Sequence, residues 1–551
     1  MLPQHYDLRT NAHIMGTAQS GKSKLMEHCV RQHIRRRFGC TIVDFHGTLY
    51  QALLEYLAYV RPKQPVILMN LSEPRYVRPL NPFALKDGDE VSAHVNRLAS
   101  VIVRPWGAEN TNELPTYERM VKMMLTFAAI ADEPLHHAAK LLQLPKKELR
   151  ELAVSLIEDD YIRQQWTELQ YVKTLSEWHR HVLSTQNRIG RFLASRGILR
   201  TIGLKTAPET VANWIERGAI VLVNLRPSPF LDPESGKTFA ALLLSEFLNA
   251  AMRNAANPKK HFLYLDEAQM YLTNDAAQML DQVLKSGLRV TLAHHHMGQF
   301  YRDPHLQQSI EMNARIKYVF GGLPIEQAKR VAEEFFLGQL NKRWLKETHY
   351  GYHTEHILEN YEINSTTHGQ TESEGGMKNS GYTDTFGFTE NEGAIGEQGS
   401  HSKGFNSGGG FSSSEGSNWS NGKTQNDSQS RGTRYRPVTH KERDGQEDWG
   451  REEKISMLAA RLTSLTTRHC FLKLPGKEAS EYEVPFVRRY LLNPARVLEY
   501  EKALQSTAIP SDEADRILKE QEHAFLERSK AYGSRGASRP TKRPPTLHQQ
   551  G

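Results

Sequence analysis

One eight-residue segment near the start of the chain restricts its possible folds more than any other feature. Gly16–Ser23 has the sequence GTAQSGKS, after an apolar run at His13–Met15 and before a helical pattern over Lys24–Arg37. In such a loop the glycines let the backbone wrap around phosphate, and successive N–H groups at the helix N-terminus bind it. A strand, this loop and a helix in this order predict a nucleotide-binding α/β domain.

The residue types of the loop indicate how it would bind ATP and Mg²⁺. Lys22 is expected to contact the β- and γ-phosphate oxygens, and Ser23 is expected to ligate Mg²⁺. We predict that nucleotide is bound by the whole loop, which consists of Gly16, Thr17, Ala18, Gln19, Ser20, Gly21, Lys22 and Ser23.

A shorter segment, Ser235–Thr238 (SGKT), looks like a second copy of this loop. Leu231 stands five residues before Gly236, where the first glycine would have to be. Without that glycine the backbone has no means of wrapping around phosphate. We therefore predict a helix N-terminus there, with Ser235 as its N-cap.

An apolar strand that ends in two acids supplies the second half of the predicted site. His261–Leu265 is followed by Asp266 and Glu267. At a strand end, Asp266 would lie beside Mg²⁺, and Glu267 would orient the attacking water as general base. An Asp-Glu pair is a weak signal alone, and it gains weight here from the phosphate loop earlier in the chain.

Three adjacent histidines, residues 294–296, follow the next predicted strand. Neighbours on a strand point to opposite faces, so only His294 and His296 could share a metal ion, and no third ligand is evident. A sensor of the γ-phosphate at this strand end is the favoured function, and His295 is its candidate residue.

The alternation of strands and helices predicts an α/β fold with a RecA-like parallel sheet. Helical periodicity replaces strand patterns over 91–200, so we predict an all-α insertion between two parts of the sheet domain, 1–90 and 201–345. Residues 364–434 are rich in Ser, Gly, Asn and Glu, which predicts a disordered linker. A small α+β element is expected at 450–490, then a helix and a basic flexible tail over 510–551.

Composition bounds the compartment and the partners only loosely. Lys and Arg exceed Asp and Glu by 70 − 63 = 7, which is compatible with a polyanion partner but does not prove one. The basic run Arg31–Arg37 is explained by a solvated helix end, with a DNA contact as the alternative. Three cysteines and the absence of a stretch of about twenty apolar residues predict a cytoplasmic protein without an intrinsic membrane segment.

Taken in order, these motifs resemble the HerA–FtsK class of P-loop ATPases, and within it the soluble part of type IV secretion coupling proteins. The resemblance covers Asn11 to Glu334 and is carried by GTAQSGKS, IVDFHG, QNRIGRFLASRGILRTIG, VLVNL, FLYLDEAQ and LAHHHMGQF. It implies an ATPase that moves DNA through the central channel of a hexameric homo-oligomer. Relaxase and secretion-channel proteins, or a nuclease, would be its partners.

The chain departs from this class at three points. Members usually have Gln where this chain has His295. The arginine expected about nineteen residues after Asp266, which acts across the subunit interface, is replaced by Lys285, with Arg289 close by. Coupling proteins usually have an N-terminal membrane segment, so recruitment to the inner membrane would here need a partner.

Three functions therefore remain open at this stage. The first is a conjugative DNA translocase, and the second is a soluble HerA-like helicase or translocase in DNA processing or defence. The third is a scaffold whose nucleotide cycle gates protein assembly without moving DNA. Hydrolysis stimulated by DNA would separate the first two from the third.

Overall fold

The computed structural model describes residues 10–103, 114–272, 280, 282–300, 304–369, 376–395, 398–417, 424–490 and 492–534. The chain forms two compact units, one made of Met1–Arg343 with Gly450–Gly551 and the other of Trp344–Trp449. The strands are β1 Ala12–Met15, β2 Gly39–Asp44, β3 Val66–Asn70, β4 Tyr76–Val77, β5 Ile220–Asn224, β6 His261–Leu265, β7 Leu288–His294, β8 Ile316–Phe320, β9 Leu345–Gly369, β10 Gly376–Ile395, β11 Gln398–Ser417, β12 Thr424–Asp448, β13 His469–Lys473, β14 Ser480–Glu483 and β15 Ile509–Pro510.

Helices make up much of the remaining described chain. They are α1 Lys22–Arg35, α2 Thr48–Val60, α3 Val91–Val103, α4 Leu114–Ala131, α5 Leu135–Ala138, α6 Lys147–Leu156, α7 Asp160–Gln170, α8 Leu175–Ala194, α9 Arg196–Ile202, α10 Val211–Glu216, α11 Pro233–Arg253, α12 Pro304–Asn313, α13 Ile325–Phe335, α14 Leu337–Leu340, α15 Arg451–Thr463, α16 Pro494–Leu504 and α17 Ser511–Ser534.

A nine-stranded sheet forms the centre of the first unit, in the order β14-β13-β8-β1-β7-β6-β2-β5-β3. The seven strands from β8 to β3 are parallel, and the hairpin β13–β14 adds to β8 in the antiparallel direction. Strand β7 lies between the strand before the phosphate loop, β1, and the strand that ends in the two acids, β6. This order, with an additional strand between the two, confirms the predicted RecA-like fold.

Helices cover both faces of this sheet, as short apolar strands require. On β6, Phe262 stacks on His33 of α1 with ring centroids 3.7 Å apart, while His261 stacks on Phe247 of α11 at 5.4 Å. Adjacent side chains on one strand thus face opposite helix layers, because the period of a strand is two residues. Both faces of the sheet are therefore covered by helices.

The all-α insertion is present as helices α3 to α9, between β4 and β5. Trp166 and Trp178 are fully buried within it. The indole N–H of Trp178 donates to the Leu142 carbonyl at 2.8 Å. Helix α17 is attached to the same region, since Lys140 pairs with Glu522 at 2.5 Å. The insertion therefore buries large aromatic side chains and is linked by an ion pair to the C-terminal helix α17.

The C-terminal segment 450–490 contains the predicted helix and hairpin. The hairpin extends the main sheet, because Cys470 pairs with Phe320 and Leu472 pairs with Tyr318 of β8. The predicted helix of 510–551 is α17, and the basic residues of the predicted tail lie beyond residue 534, outside the described residues. Among the described helices, none is long and apolar enough to cross a bilayer.

The second unit includes residues 364–434, for which the sequence predicts a disordered linker. It consists of two antiparallel strand pairs, β9 with β12 and β10 with β11. Its described side chains are largely exposed, including those of Tyr352, Ile357 and Leu358. This agrees with the polar composition, which predicts little burial of apolar side chains there.

Candidate nucleotide site

The phosphate loop connects β1 to α1 at the carboxyl edge of the sheet. Gly16 is needed because a Cβ there would lie 2.5 Å from Phe320 Cβ, and Gly21 has a φ of +119° that favours glycine. The Gly16 N–H donates to the His295 carbonyl at 3.0 Å, which ties the loop to the end of β7. The close approach at Gly16 and the positive φ at Gly21 thus explain why glycine stands at both positions.

Lys22 is folded back over the loop. Its Nζ donates to the Gly16 carbonyl at 2.6 Å and the Thr17 carbonyl at 2.9 Å, and the side chain is buried. Burial lowers the pKa of Lys22, and the nearby charges of Glu267 and Asp266 act in the opposite direction. The ammonium group therefore lies where the loop backbone encloses it, with two carboxylates near.

Asp266 follows β6 and is buried beside two other acids. Its N–H donates to the Val43 carbonyl of β2 at 3.1 Å, which fixes the strand end. Burial, together with the charges of Asp44 and Glu267, raises the pKa of Asp266 to about 7. A carboxylate in this environment is stabilised by a cation, and oxygen ligands suit Mg²⁺. Ser23, exposed in the first turn of α1, and Asp266 are both oxygen donors of the kind that suits this ion.

Glu267 has an unusual backbone and several side-chain partners. Its φ is +50°, in the left-handed region that is costly for a residue other than glycine. Oε2 accepts from Gln269 Nε2 at 2.5 Å, and Oε1 lies 3.4 Å from His46 Nε2. The side chain is almost fully buried. A strained backbone and a constrained carboxylate are typical of functional positions.

His295 lies between the loop and the acids. Its Nδ1 is 3.3 Å from Lys22 Nζ and 3.3 Å from the Gly16 carbonyl, while Nε2 is 3.5 Å from Glu267 Oε1. Gln299 lies in the same turn, and its side-chain Oε1 accepts a hydrogen bond from the His295 N–H at 2.8 Å. The predicted sensor residue is thus within reach of both the predicted phosphate-binding lysine and the predicted base.

The neighbouring histidines have other surroundings. His294 is fully buried, with its ring 5.7 Å from that of His13 and 5.3 Å from that of Phe300, and burial lowers its pKa to about 3. It is a core residue. Within the described part of the chain, no group of three or more His, Cys, Asp and Glu side chains could hold a metal ion.

Lys285 and Arg289 do not join this site within the chain. Both precede or begin β7, at the amino edge of the parallel sheet, whereas the loop and the acids lie at the carboxyl edge. Arg289 donates to the carbonyls of Leu284 and Leu288 at 2.7 and 2.9 Å, and Lys285 is exposed. A role for either cation in this chemistry requires another copy of the chain.

Two further sequence-based interpretations differ in detail from the structure. Helix α11 begins as predicted near Ser235, but its N-cap is Asp232, whose side chain accepts from the Ser235 N–H. An acceptor three residues earlier satisfies that N–H, so Ser235 lies inside the first turn. In the basic run, Arg31 is buried, pairs with Glu27 and packs over the Tyr56 ring, whereas Arg35, Arg36 and Arg37 at the helix end are exposed, as predicted for a solvated helix end.

Sequence reasoning missed His46 as a site residue. It follows β2 in the IVDFHG segment, two residues after Asp44. The available signal was the position of that strand end, because β2 and β6 are neighbours in the sheet. Without the strand order, nothing in the sequence places His46 beside Glu267.

Neither a protein-family model nor a curated protein matches the chain. Among solved structures, it is similar to the bacterial conjugative coupling protein TrwBdeltaN70 in a form with sulphate (13% identity, 90% of this chain and 88% of that chain, TM-score 0.49). It is also similar to plasmid coupling protein TrwB with ADP and Mg²⁺ (12%, 89% and 88%, 0.47) and to VirB4 of Thermoanaerobacter pseudethanolicus (13%, 58% and 79%, 0.39). These values are too low to transfer residue roles, so the site rests on this chain's own geometry.

Proposed function

We propose that the protein is an ATPase that uses hydrolysis to move DNA. The observation that carries the ATPase part is the meeting of Lys22, Asp266 and Glu267 at one sheet edge. These residues come from two segments about 240 positions apart in sequence. The DNA part is the finer proposal, and it rests on the resemblance of the ordered motifs to DNA-moving ATPases.

Each residue has a role in this proposal that follows from its chemistry. The loop N–H groups and Lys22 bind the β- and γ-phosphates, and Ser23 with Asp266 holds Mg²⁺, which neutralises phosphate charge when bound. Glu267 accepts the proton of the attacking water. His295, within reach of Lys22 and Glu267, responds to the γ-phosphate.

The test is ATP turnover by purified protein without DNA, with single-stranded DNA and with double-stranded DNA. Wild type should hydrolyse ATP, and DNA should raise the rate. Lys22→Ala should reduce turnover by about a hundredfold or more, because one electrostatic contact to the transition state is worth about 3 kcal/mol.

A matched control is available in Ser235–Thr238, the segment of α11 whose sequence resembles the phosphate loop. Lys237 follows Gly236 as Lys22 follows Gly21, but it pairs with Glu234 on α11. Lys237→Ala should therefore leave turnover unchanged. Wild-type activity in the Lys22→Ala variant would show that the loop is not the catalytic site. An ATP turnover that no DNA changes would contradict the proposal that the protein moves DNA.

A further inference from the structure

His46 lies in a turn whose backbone is held by a buried side chain. Asp44 is fully buried at the end of β2, and its Oδ1 accepts from the His46 N–H at 2.8 Å. Its Oδ2 accepts from the Tyr50 N–H at 2.8 Å, in the first turn of α2. Gly47 has a φ of +76°, which favours glycine and completes the turn. The position of His46 is therefore set by the Asp44 carboxylate.

This turn brings the imidazole of His46 to the predicted base. Strands β2 and β6 are in register, with Val43 opposite Leu265, so the residues beyond their ends are neighbours. His46 Nε2 lies 3.4 Å from Glu267 Oε1. The side chain of Glu267 is 6% exposed and that of His46 is 59% exposed, so His46 approaches the carboxylate from the solvent side.

Glu267 has a need for such a partner. A general base must hold its oxygen within hydrogen-bond reach of the water that it deprotonates. Gln269 occupies Oε2, and His295 approaches Oε1 but also contacts Lys22 and the Gly16 carbonyl. A side chain that contacts the phosphate-binding lysine serves two groups, whereas the Nε2 of His46 is directed at the carboxylate.

We propose that His46 is a positioning residue for Glu267: it fixes the rotamer of the carboxylate so that one oxygen faces the attacking water. This inference rests on the proposed ATPase function and adds a residue to its machinery. In this proposal His46 acts through Glu267, the carboxylate that its imidazole contacts. The expected signature is a lower kcat with an unchanged affinity for nucleotide.

The first experiment compares steady-state ATP hydrolysis by wild type, His46→Ala and His46→Gln, together with the affinity of each for ADP. His46→Ala should lower kcat about tenfold to a hundredfold, part of what a general base contributes, with KM and ADP affinity within about twofold of wild type. His46→Gln, which keeps an N–H donor, should recover part of the rate. His179→Ala, an exposed histidine on α8, is the matched control and should change nothing.

The second experiment is a double-mutant cycle. In a Glu267→Gln background, His46→Ala should have no further effect on the residual rate, because the residue through which it acts is already changed. Independent losses that multiply would overturn the proposal, as would an equal fall in ADP affinity and kcat. If wild type hydrolyses ATP and His46→Ala has the same kcat, this proposal alone is overturned. If wild type has no ATPase activity, the proposed function is overturned as well.

Discussion

At the scale of single residues, Glu267 joins a strained backbone to a buried carboxylate beside Asp266. Its partners are two histidines and an amide, so the carboxylate is constrained from several sides. Replacement by the isosteric amide keeps its shape and removes the ability to accept a proton. Glu267 therefore offers a clean separation of binding from chemistry.

Glu267→Gln should bind ATP as wild type does and hydrolyse it slowly. We expect kcat to fall by about a hundredfold or more, the contribution of a positioned general base. Nucleotide binding is measured by titration with a fluorescent ATP analogue, and turnover by phosphate release. Equal losses of affinity and turnover would instead assign Glu267 to the binding of the metal ion.

A second residue-scale prediction concerns His33, on the core side of α1. Burial, together with the charge of Arg36, lowers its pKa to about 3. The unfolded chain binds a proton near pH 6.5 that the folded protein excludes, so stability is lost as pH falls below 6.5. This one group should cost about 2 kcal/mol between pH 7 and pH 5.

The variant His33→Phe keeps the ring stacked on Phe262 and cannot take up the proton. Its unfolding free energy in urea should therefore fall less than that of wild type between pH 7 and pH 5. The exposed His179→Ala serves as control and should follow wild type. Parallel pH dependences for wild type and His33→Phe would show that His33 does not contribute to acid sensitivity.

At the scale of elements, the second unit is defined by pairing within itself. Asn360 on β9 is paired with Thr433 on β12, so the chain can be shortened there without a change of register. We expect a variant that lacks residues 361–432, with an Asn-Gly turn joining Asn360 to Thr433, to keep the basal ATPase rate and melting temperature of wild type. An Asn-Gly pair suits such a two-residue hairpin turn.

Expression, melting temperature and ATP turnover of this variant test the prediction together. A collapse of expression or melting temperature would show that the removed strands support the rest of the protein. Unchanged stability with lower turnover would assign them to the enzymatic cycle or to assembly.

At the scale of the whole molecule, the nucleotide site is expected to be shared between copies of the chain. Lys285 is exposed at the sheet edge opposite the loop, and Arg289 is occupied by helix-end and strand carbonyls. Lys285 is therefore the better candidate for the cation that stabilises γ-phosphate charge in a neighbouring copy. A lysine offers a point charge without the planar fork of arginine, which makes this a departure from the usual arrangement.

Mixing of inactive variants tests this sharing. Lys285→Ala subunits should regain activity when Lys22→Ala subunits are added, because some mixed interfaces then contain one complete site. Arg289→Ala is the comparison, and it should hydrolyse ATP without added Lys22→Ala subunits, because Arg289 bonds carbonyls of its own chain. Mixtures that stay inactive at several ratios, although both variants fold and assemble, would rule out Lys285 as the shared cation.

The local features of this protein were determined by the sequence itself. The phosphate loop, the strand with its two acids, the all-α insertion and the strand-helix alternation are patterns of neighbouring residues, and backbone propensity and periodicity act over that range. Those patterns sufficed for the fold class and for Lys22, Asp266 and Glu267 as candidates.

Only the tertiary structure decided how those pieces meet. Which strands are neighbours depends on packing and hydrogen bonds between segments far apart in the chain, and no local pattern encodes that choice. Strand order placed His295 between Lys22 and Glu267, brought His46 to Glu267, and set Lys285 at the other edge. The same non-local pairing attached the hairpin β13–β14 to β8 and paired β9 with β12, because backbone groups that lack a local partner are satisfied by distant ones.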